Sequence, residues 1–218
     1  MDASIARSRL SREDRMEQVL TEAHDLFAER GFAAVTMDEI AASVGVTKPL
    51  LYTYFGNKER LYIACMERAA DALTTTVAKA VVATSSPGDA LRAGVRAFFA
   101  FLDSDRAAWA VLFDETLPRS GEVAERVAGY RRQIAELVSG SMVEQLPQAP
   151  RDDVRIEIEA LSTALLGAAE ALARWWLATE ALSAEEAAEL LISTVEPGLR
   201  ARSARPASPS PEGGTTTR

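Results

Sequence analysis

Residues 36–58 constrain the fold more than any other segment, because two short helices and the turn between them follow from their residue types. Their sequence is TMDEIAASVGVTKPLLYTYFGNK. Thr36 and Glu39 have capping-box spacing, in which the hydroxyl accepts from an early helix amide and the carboxylate accepts from the threonine amide. The pattern therefore predicts a short helix from Met37 that ends at Gly45, where a left-handed residue is least costly.

A second helix is predicted to begin within three residues of the first. Thr47 offers an N-cap oxygen, and Pro49 lies in the first turn, where a missing amide hydrogen costs no intrahelical bond. Helical spacing turns Leu51 and Phe55 inward. The outward side chains carry hydroxyl, aromatic and basic groups that suit a DNA groove and its phosphates. These side chains are Thr47, Lys48, Tyr52, Thr53 and Tyr54.

The start of the next helix adds a third element. Asn57 has the position of an N-cap, and Lys58 follows in the first turn. A lysine beside the free amides of a helix N-terminus favours a phosphate. The alternative is that Tyr52 and Tyr54 only cover the edge of a small helical core.

Residues 11–62 resemble the N-terminal DNA-binding domain of the TetR family of bacterial transcriptional regulators. The resemblance is carried by LFAERGF at residues 26–32, the Gly-Val turn, and LYTYF followed by Asn57, Lys58 and Glu59. It implies DNA-contact positions at Thr36, Thr47, Lys48, Tyr52, Tyr54 and Lys58, and we include Pro49 and Thr53 in the candidate interface. Thr53 stands where the family often has tyrosine, so no base preference is carried over.

Charge is distributed unevenly along the 218 residues. The formal net charge of -8 by itself argues against nucleic acid, because phosphate binding depends on cations. However, no acidic residue lies between residues 40 and 58, and the N-terminal segment contributes Arg7, Arg9 and Arg12. A basic DNA-binding face on an acidic protein is therefore expected.

The chain has one cysteine, Cys65, and one histidine, His24. An intrachain disulfide is excluded, and neither a metal site nor a cofactor is predicted. We expect Cys65 to be a buried apolar residue and His24 to lie partly exposed at the surface. With neither a signal region nor a bilayer-length apolar run, the sequence predicts a cytoplasmic protein without membrane contact.

The rest of the chain shows helical periodicity throughout, and 48% of all residues are hydrophobic. The predicted fold is all-α with about nine helices: a three-helix helix-turn-helix domain at residues 11–58, and a helical effector-binding and dimerisation domain at 59–202. A helix from Lys58 to about Val82 connects them, and the next is predicted to begin at Asp89. Residues 1–10 form a predicted flexible basic arm, and residues 203–218 a disordered tail.

Residues 160–178 contain only two charges, Glu170 and Arg174, and small or apolar residues surround the helix. The sequence predicts burial on nearly every face. Ser183 and Glu186 start a second, amphipathic helix. The two helices are predicted to form a four-helix dimer interface over residues of about 155–200, as the resemblance also implies. The alternative is a monomer that buries both.

The middle helices supply candidate walls of an effector pocket. Bulky residues at helical spacing also occur in any core, so an ordinary packed interior is the alternative. Glu170 and Arg174 are spaced to form an ion pair with each other, and otherwise would meet a ligand. The predicted pocket residues are Tyr62, Met66, Phe98, Phe101, Trp109, Phe113, Tyr130, Met142, Glu170 and Arg174, with Trp175 and Trp176 as further wall candidates.

Together these features predict a homodimeric repressor that a small apolar or aromatic effector releases from an inverted-repeat operator in double-stranded DNA. A constitutive or architectural DNA-binding protein without an effector is the second hypothesis. An enzyme is disfavoured, because no nucleophile with a histidine partner, phosphate loop or metal cluster is visible.

Overall fold

The computed structural model describes residues 11–84, 86–144 and 152–203, and within them the chain is all α, with nine helices and no strand. The predicted fold class is confirmed. Residues 1–10, including Arg7 and Arg9, and residues 204–218 of the predicted tail lie outside the described residues. The helices are α1 (Arg12–Ala34), α2 (Met37–Val44), α3 (Lys48–Phe55), α4 (Lys58–Val82), α5 (Pro87–Ser104), α6 (Arg106–Leu112), α7 (Glu122–Glu144), α8 (Asp152–Thr179) and α9 (Ala184–Ser203).

Capping boxes begin three of these helices. At α2 the Glu39 amide donates to Thr36 Oγ1 at 3.3 Å, and the Thr36 amide donates to Glu39 Oε2 at 2.9 Å. Ser11 with Asp14 and Ser183 with Glu186 make the same reciprocal bonds at α1 and α9. Each box satisfies amides that the first helical turn leaves without partners.

Two helix boundaries differ from the sequence-based prediction. Helix α5 begins at Pro87, not Asp89, because proline fits the first turn and Ser86 caps it by accepting from the Asp89 amide at 3.3 Å. The second boundary is the end of α1, where a glycine after a helical run predicts a helix end at Gly31. Its backbone does break there, with φ 75° and ψ 161°, but helical structure resumes and ends at Ala34.

The first core, which we call the head core, joins α1–α4 to one face of α6 and α7. Leu51, Tyr62 and Phe27 are among its fully buried side chains. Tyr62 makes edge contacts with Phe27 and Phe32, with ring centroids 5.0 and 5.2 Å apart. Helix α4 therefore continues from the helix-turn-helix into the rest of the molecule through a shared aromatic cluster.

His24 corrects one expectation. It is 7% exposed, with Nδ1 3.4 Å from Asp25 Oδ1, so the predicted surface position is wrong. Because α4 and α6 both pack against α1, they cover a position at the flank of its apolar stripe. Cys65 is fully buried, as predicted.

The second core, which we call the body core, lies between α5, α8 and α9. Phe99 and Trp176 meet edge to face at 5.6 Å, and the Trp176 indole donates to the Leu182 carbonyl at 2.7 Å. Leu191 and Ile192 of α9 complete the cluster.

Among the described residues, helix α8 is covered on one side only. It packs against α7 and α9, while none of the described helices covers its opposite face, so the predicted burial on nearly every face is wrong for this part of a single chain. Within the described part of the chain, no helix combines the length and apolarity needed to cross a bilayer. The exposed positions of that face include Ile156, Ala160, Ala164, Gly167, Ala168, Ala171 and Trp175.

Candidate nucleic-acid interface

Helix α3 is held in place by its inner face. Leu51 is fully buried and Phe55 nearly so, while Gly45 turns the chain between α2 and α3 with φ 73°. The opposite face is exposed and includes the N-cap, Thr47, whose side chain makes no capping hydrogen bond. We call this exposed set the α3 surface: Thr47, Lys48, Pro49, Tyr52 and Thr53.

The two tyrosines of α3 differ in exposure. Tyr52 is 44% exposed and projects from the α3 surface. Tyr54 is half-buried, since its ring lies under the Arg12 guanidinium at 5.6 Å and meets Phe55 at 6.3 Å. Tyr52 is therefore the more accessible ring, while Tyr54 joins α3 to the first turn of α1.

The lysine on the α3 surface has an acidic neighbour. Lys48 Nζ lies 2.8 Å from Asp38 Oδ2, and this hydrogen bond raises the pKa of Lys48. Asp38 is in the first turn of α2, ten residues earlier. The pair ties α2 to α3 and partly offsets the positive charge that a phosphate would meet.

Two predicted contact residues use their hydroxyl protons within the fold. Thr36 donates from both its amide and its hydroxyl to Glu39, whose pKa these bonds lower together with Arg30. Thr53 donates from Oγ1 to the Pro49 carbonyl at 2.8 Å. In this arrangement both hydroxyls offer a DNA phosphate only lone pairs, and a phosphate needs a donor.

Lys58 is bound to the connection between α1 and α2. Its Nζ donates to the carbonyls of Phe32 at 2.9 Å and Val35 at 3.0 Å, and it lies 4.3 Å from the centroid of the Phe32 ring. The side chain thus fastens the start of α4 to the connection between α1 and α2. Two of its three donors serve that connection, and one is left for a phosphate.

The predicted effector residues fall into separate groups. Tyr62 and Met66 are sealed in the head core, and the Tyr62 hydroxyl donates to the Val111 carbonyl at 2.5 Å. Phe98 and Phe101 pack on the body core, and Trp109 joins them. The structure therefore does not bring Tyr62 and Met66 together with the phenylalanines of α5.

A third group surrounds Phe113, at the end of α6, and shares Trp109 with the group on the body core. Its ring stacks on Trp109 with centroids 3.9 Å apart, and the Arg131 guanidinium lies 5.6 Å from it. Arg131 also lies 3.4 Å from Glu170, and Arg174 pairs with Glu115. Glu170 and Arg174 thus each pair with another segment, although their spacing favoured an ion pair within α8.

Two surface depressions lie near the predicted pocket residues. One of about 500 Å³ is lined by polar groups, including Tyr130, whose hydroxyl donates to Asp71 at 2.7 Å. Another of about 350 Å³ lies between α7 and α8. Met142 accepts a bond from Ser162 at 3.6 Å and does not line that depression.

Sequence reasoning missed Asp38 and Arg131, and it counted Arg12 with the basic N-terminal segment without predicting its contact with Tyr54. Asp38 pairs with Lys48, Arg12 covers Tyr54, and Arg131 meets Phe113 and Glu170. Asp38 had a detectable signal, because it is an acidic residue in the helix that packs directly against α3. The partners of Arg12 and Arg131 are set by the packing of distant helices, so no local pattern identifies them.

Comparison with known families agrees with this architecture. A model of the bacterial regulatory proteins of the tetR family matches residues 19–65, and a model of the tetracyclin repressor-like C-terminal domain matches residues 87–196. The HTH-type transcriptional activator FasR of Mycolicibacterium smegmatis is 38% identical over 120 residues. The aligned part is 55% of this chain and 55% of FasR, so the chain spans about half the length of that relative.

Solved structures show the same fold over most of the chain. A TetR-like transcriptional regulator from Rhodococcus sp. RHA1 is 32% identical, with a TM-score of 0.72 over 88% of this chain and 99% of that one. The structure of AibR in complex with isovaleryl coenzyme A and operator DNA is 23% identical, with a TM-score of 0.66. It covers 84% of this chain and 98% of AibR, and at that identity it supports the fold alone.

Proposed function

Because the chain belongs to the TetR family of bacterial transcriptional regulators, we propose that it binds an inverted-repeat operator as a homodimer and that a small molecule releases it. Like its relatives, the chain is a DNA-binding transcriptional regulator, not an enzyme. The observation that carries the proposal is the α3 surface, where Tyr52 and Lys48 project from a helix fixed by Leu51 and Phe55.

The proposed dimer uses the exposed face of α8 together with α9. Small residues such as Ala164, Gly167 and Ala168 allow two helices to approach closely, and Trp175 and Leu190 are 46% and 48% exposed. An exposed apolar face of this kind typically marks a protein interface. A two-fold axis through this face would use the same residues of both copies.

Two copies would explain how so small a surface selects a site. A two-fold pair places its recognition helices in successive major grooves, roughly 34–36 Å apart. Each copy of α3 then contacts one half-site. The domain limits at residues 11–58 and 59–202 belong to this proposal, with α4 as the connection between them.

Tyr52 provides the first test. Operator sites are first identified by genome-wide mapping of bound DNA, and affinity is then measured by fluorescence anisotropy. Tyr52→Ala should weaken binding by about 1–3 kcal/mol, that is, roughly 5- to 150-fold, whereas Tyr52→Phe should lose less because the ring contact survives. Thr75→Ala, at an exposed position of α4, is the control. If both Tyr52 variants bind like the wild type, the α3 surface is not the DNA contact.

The effector is proposed to bind near Phe113. The stacked Trp109 and Phe113 rings offer an apolar surface, and Arg131 and Arg174 offer charge for an anionic group. AibR has been solved with isovaleryl coenzyme A, so acyl-coenzyme A thioesters are the first class to test. Such a ligand would have to bind the DNA-free conformation more tightly than the DNA-bound one.

An acyl-chain series tests this part of the proposal. At least one thioester should raise the operator Kd by about 5- to 150-fold, as expected for a coupling of about 1–3 kcal/mol, while free coenzyme A should have a smaller effect. Trp109→Ala should abolish the response but keep DNA affinity. Unchanged operator binding across the series at millimolar ligand would exclude this effector class.

The sign of regulation is proposed to be repression, as the sequence predicted. FasR is an activator, so relatives alone do not decide the sign. Deleting the gene should raise transcription from the mapped promoters if the protein represses. Lower transcription would identify an activator instead.

A constitutive DNA-binding protein is the second candidate. It is favoured by the complete burial of Tyr62 and Met66, which leaves those predicted pocket residues no space for a ligand. In that case no small molecule would change operator affinity, and the ion pairs of Arg131 and Arg174 would be structural only.

A further inference from the structure

The break in α1 leaves two backbone amides that the helix itself does not satisfy. At Gly31 the chain leaves helical geometry, so the next amides lose their normal acceptors. The loop between α6 and α7 supplies replacements from more than 80 positions away in sequence. Asp114 Oδ2 accepts from the Phe32 amide at 2.6 Å, and Thr116 Oγ1 accepts from the Ala33 amide at 3.2 Å.

The loop is shaped for this role. Asp114 uses its second oxygen, Oδ1, to accept from the Thr116 amide at 2.7 Å, which holds the threonine beside the break. A Cβ at residue 31 would lie 2.9 Å from Thr116 Oγ1, and φ at this residue is 75°. Only glycine gives both this backbone conformation and the close approach of the loop.

Phe32 is thereby held from three sides. Its amide donates to Asp114, its carbonyl accepts from Lys58 at 2.9 Å, and its ring meets Tyr62 at 5.2 Å. Lys58 and Tyr62 belong to the first turns of α4. The connection from α1 to α2 is therefore clamped between the start of α4 and a loop outside the helix-turn-helix.

We infer that Asp114 and Thr116 are positioning residues for DNA binding. By completing the broken end of α1 they fix the connection that leads into α2, and α2 carries α3 through the Gly45 turn and the Asp38–Lys48 pair. Neither residue belongs to the helix-turn-helix, so they act on DNA affinity through Phe32 and Ala33. Residues 11–58 alone would lack Asp114 and Thr116, and therefore two of the bonds that help to orient the α3 surface.

Electrostatics and positioning predict opposite effects on DNA affinity when Asp114 is replaced. Asp114 is acidic, so removing it would by simple electrostatics strengthen binding to a polyanion. Positioning predicts the opposite result. Glu115, next to it, is also acidic and pairs with Arg174 of α8, so Glu115→Ala removes the same charge from the same loop without uncapping α1.

The experiment compares the full-length proteins Asp114→Ala, Thr116→Val and Glu115→Ala with the wild type. Amide hydrogen exchange measures the protection of Phe32, and fluorescence anisotropy measures affinity for the tightest-binding duplex selected from random DNA. In Asp114→Ala, the Phe32 amide should exchange about 10- to 100-fold faster, as expected for loss of a charge-assisted bond. DNA affinity should fall at least about threefold, because fewer molecules have the binding-competent geometry. The salt dependence of binding should not change, because neither residue contacts phosphate.

Two comparisons complete the test. Asp114→Asn keeps one oxygen for the Phe32 amide and should recover part of the affinity, while Glu115→Ala should bind DNA as the wild type or more tightly. If Asp114→Ala does not fold, Thr116→Val tests the same inference through the amide of Ala33, which donates to Thr116. Wild-type DNA affinity in a variant with accelerated Phe32 exchange, or no change in that exchange, would overturn the inference.

Discussion

The head core and the body core differ in how completely this chain covers them. In the head core, α1–α4 pack together with α6 and leave residues such as Leu51, Tyr62 and Cys65 with no exposed area. In the body, α7 and α9 pack against α8, and Phe99 of α5 contacts Trp176, while Trp175 and the small residues beside it face solvent. The described residues of one chain thus enclose the head core, while they leave an apolar face of the body exposed, which is the face of the proposed dimer.

This difference separates the two tasks of a DNA-binding regulator. A recognition helix must be held in one orientation before it meets DNA, because ordering a mobile helix on binding costs conformational entropy and so weakens the affinity. A symmetric pair needs a surface that is completed only by association. Substitutions in the two cores should therefore affect different measurements.

The largest expected effect is in the head core. Leu51→Ala should lower the free energy of unfolding by about 2–5 kcal/mol, because the side chain is fully buried under α3. Denaturant titration measures this loss. Leu190→Ala, at a half-exposed position of α9, is the comparison and should have a much smaller effect on a dilute chain. Equal losses would contradict the contrast between the enclosed head core and the exposed face of the body.

In the body, Ala168→Glu should act on association. A carboxylate on the exposed α8 face would lie close to the same carboxylate of the second copy, and like charges in contact cost several kcal/mol. The dissociation constant of the dimer should therefore rise at least about 100-fold. Sedimentation equilibrium measures it. Ala128→Glu on an exposed face of α7 is the matched control and should leave association unchanged. An unaffected dimer in Ala168→Glu would place the interface elsewhere.

Lys58→Ala distinguishes a structural from a DNA-binding role. Loss of bonds to two carbonyls should lower stability by roughly 1.5–3 kcal/mol. If Lys58 also contacts phosphate, as its sequence position predicted, the salt slope of binding should become shallower by about one unit. An unchanged slope with lower stability would mean that it only fastens the α1–α2 connection.

Cys65 reports whether the head core stays sealed. Burial raises the pKa of its thiol to about 12, well above the value of an exposed cysteine. The folded state therefore holds the thiol proton more tightly than the unfolded state. The resulting contribution to the free energy of unfolding is complete below pH 9 and is lost as pH rises from 9 toward 12. At pH 10 the loss should be about 1 kcal/mol relative to Cys65→Ala, measured by denaturant titration. Identical pH profiles would show that the thiol is accessible.

The smallest effects are at the two threonine caps. Thr36→Ala should lower stability by about 1 kcal/mol, because it removes a capping box. Thr47→Ala should change stability by less than about 0.5 kcal/mol, since Thr47 makes no capping bond. A drop in DNA affinity without loss of stability in Thr47→Ala would support its predicted DNA contact.

Features set by neighbouring residues were predictable from the sequence. The capping boxes at Thr36 and Ser183, the left-handed Gly45 and the extent of α4 follow from side chains within four positions of each other. The reciprocal bonds of a capping box join residues only three positions apart, so a short stretch of sequence is enough to predict them. For that reason the helix-turn-helix was predicted almost residue by residue.

Features set by the packing of distant helices were not predictable. Lys58 donates to carbonyls of the α1–α2 connection, and Arg174 forms an ion pair with Glu115 instead of Glu170. Asp114 caps an amide 82 positions away. Each partner depends on the relative placement of whole helices, which one sequence does not specify. The exposed face of α8 belongs here too, because composition shows that it is apolar but not which chain covers it.

We propose that two copies, joined through α8 and α9, present α3 to two half-sites at once. Stoichiometry and affinity are measured on duplexes that contain either the full inverted repeat or a single half-site. We predict two chains per repeat and an affinity at least about 100-fold lower for the half-site, as linked binding requires. One chain per duplex, with equal affinity for both, would contradict the account.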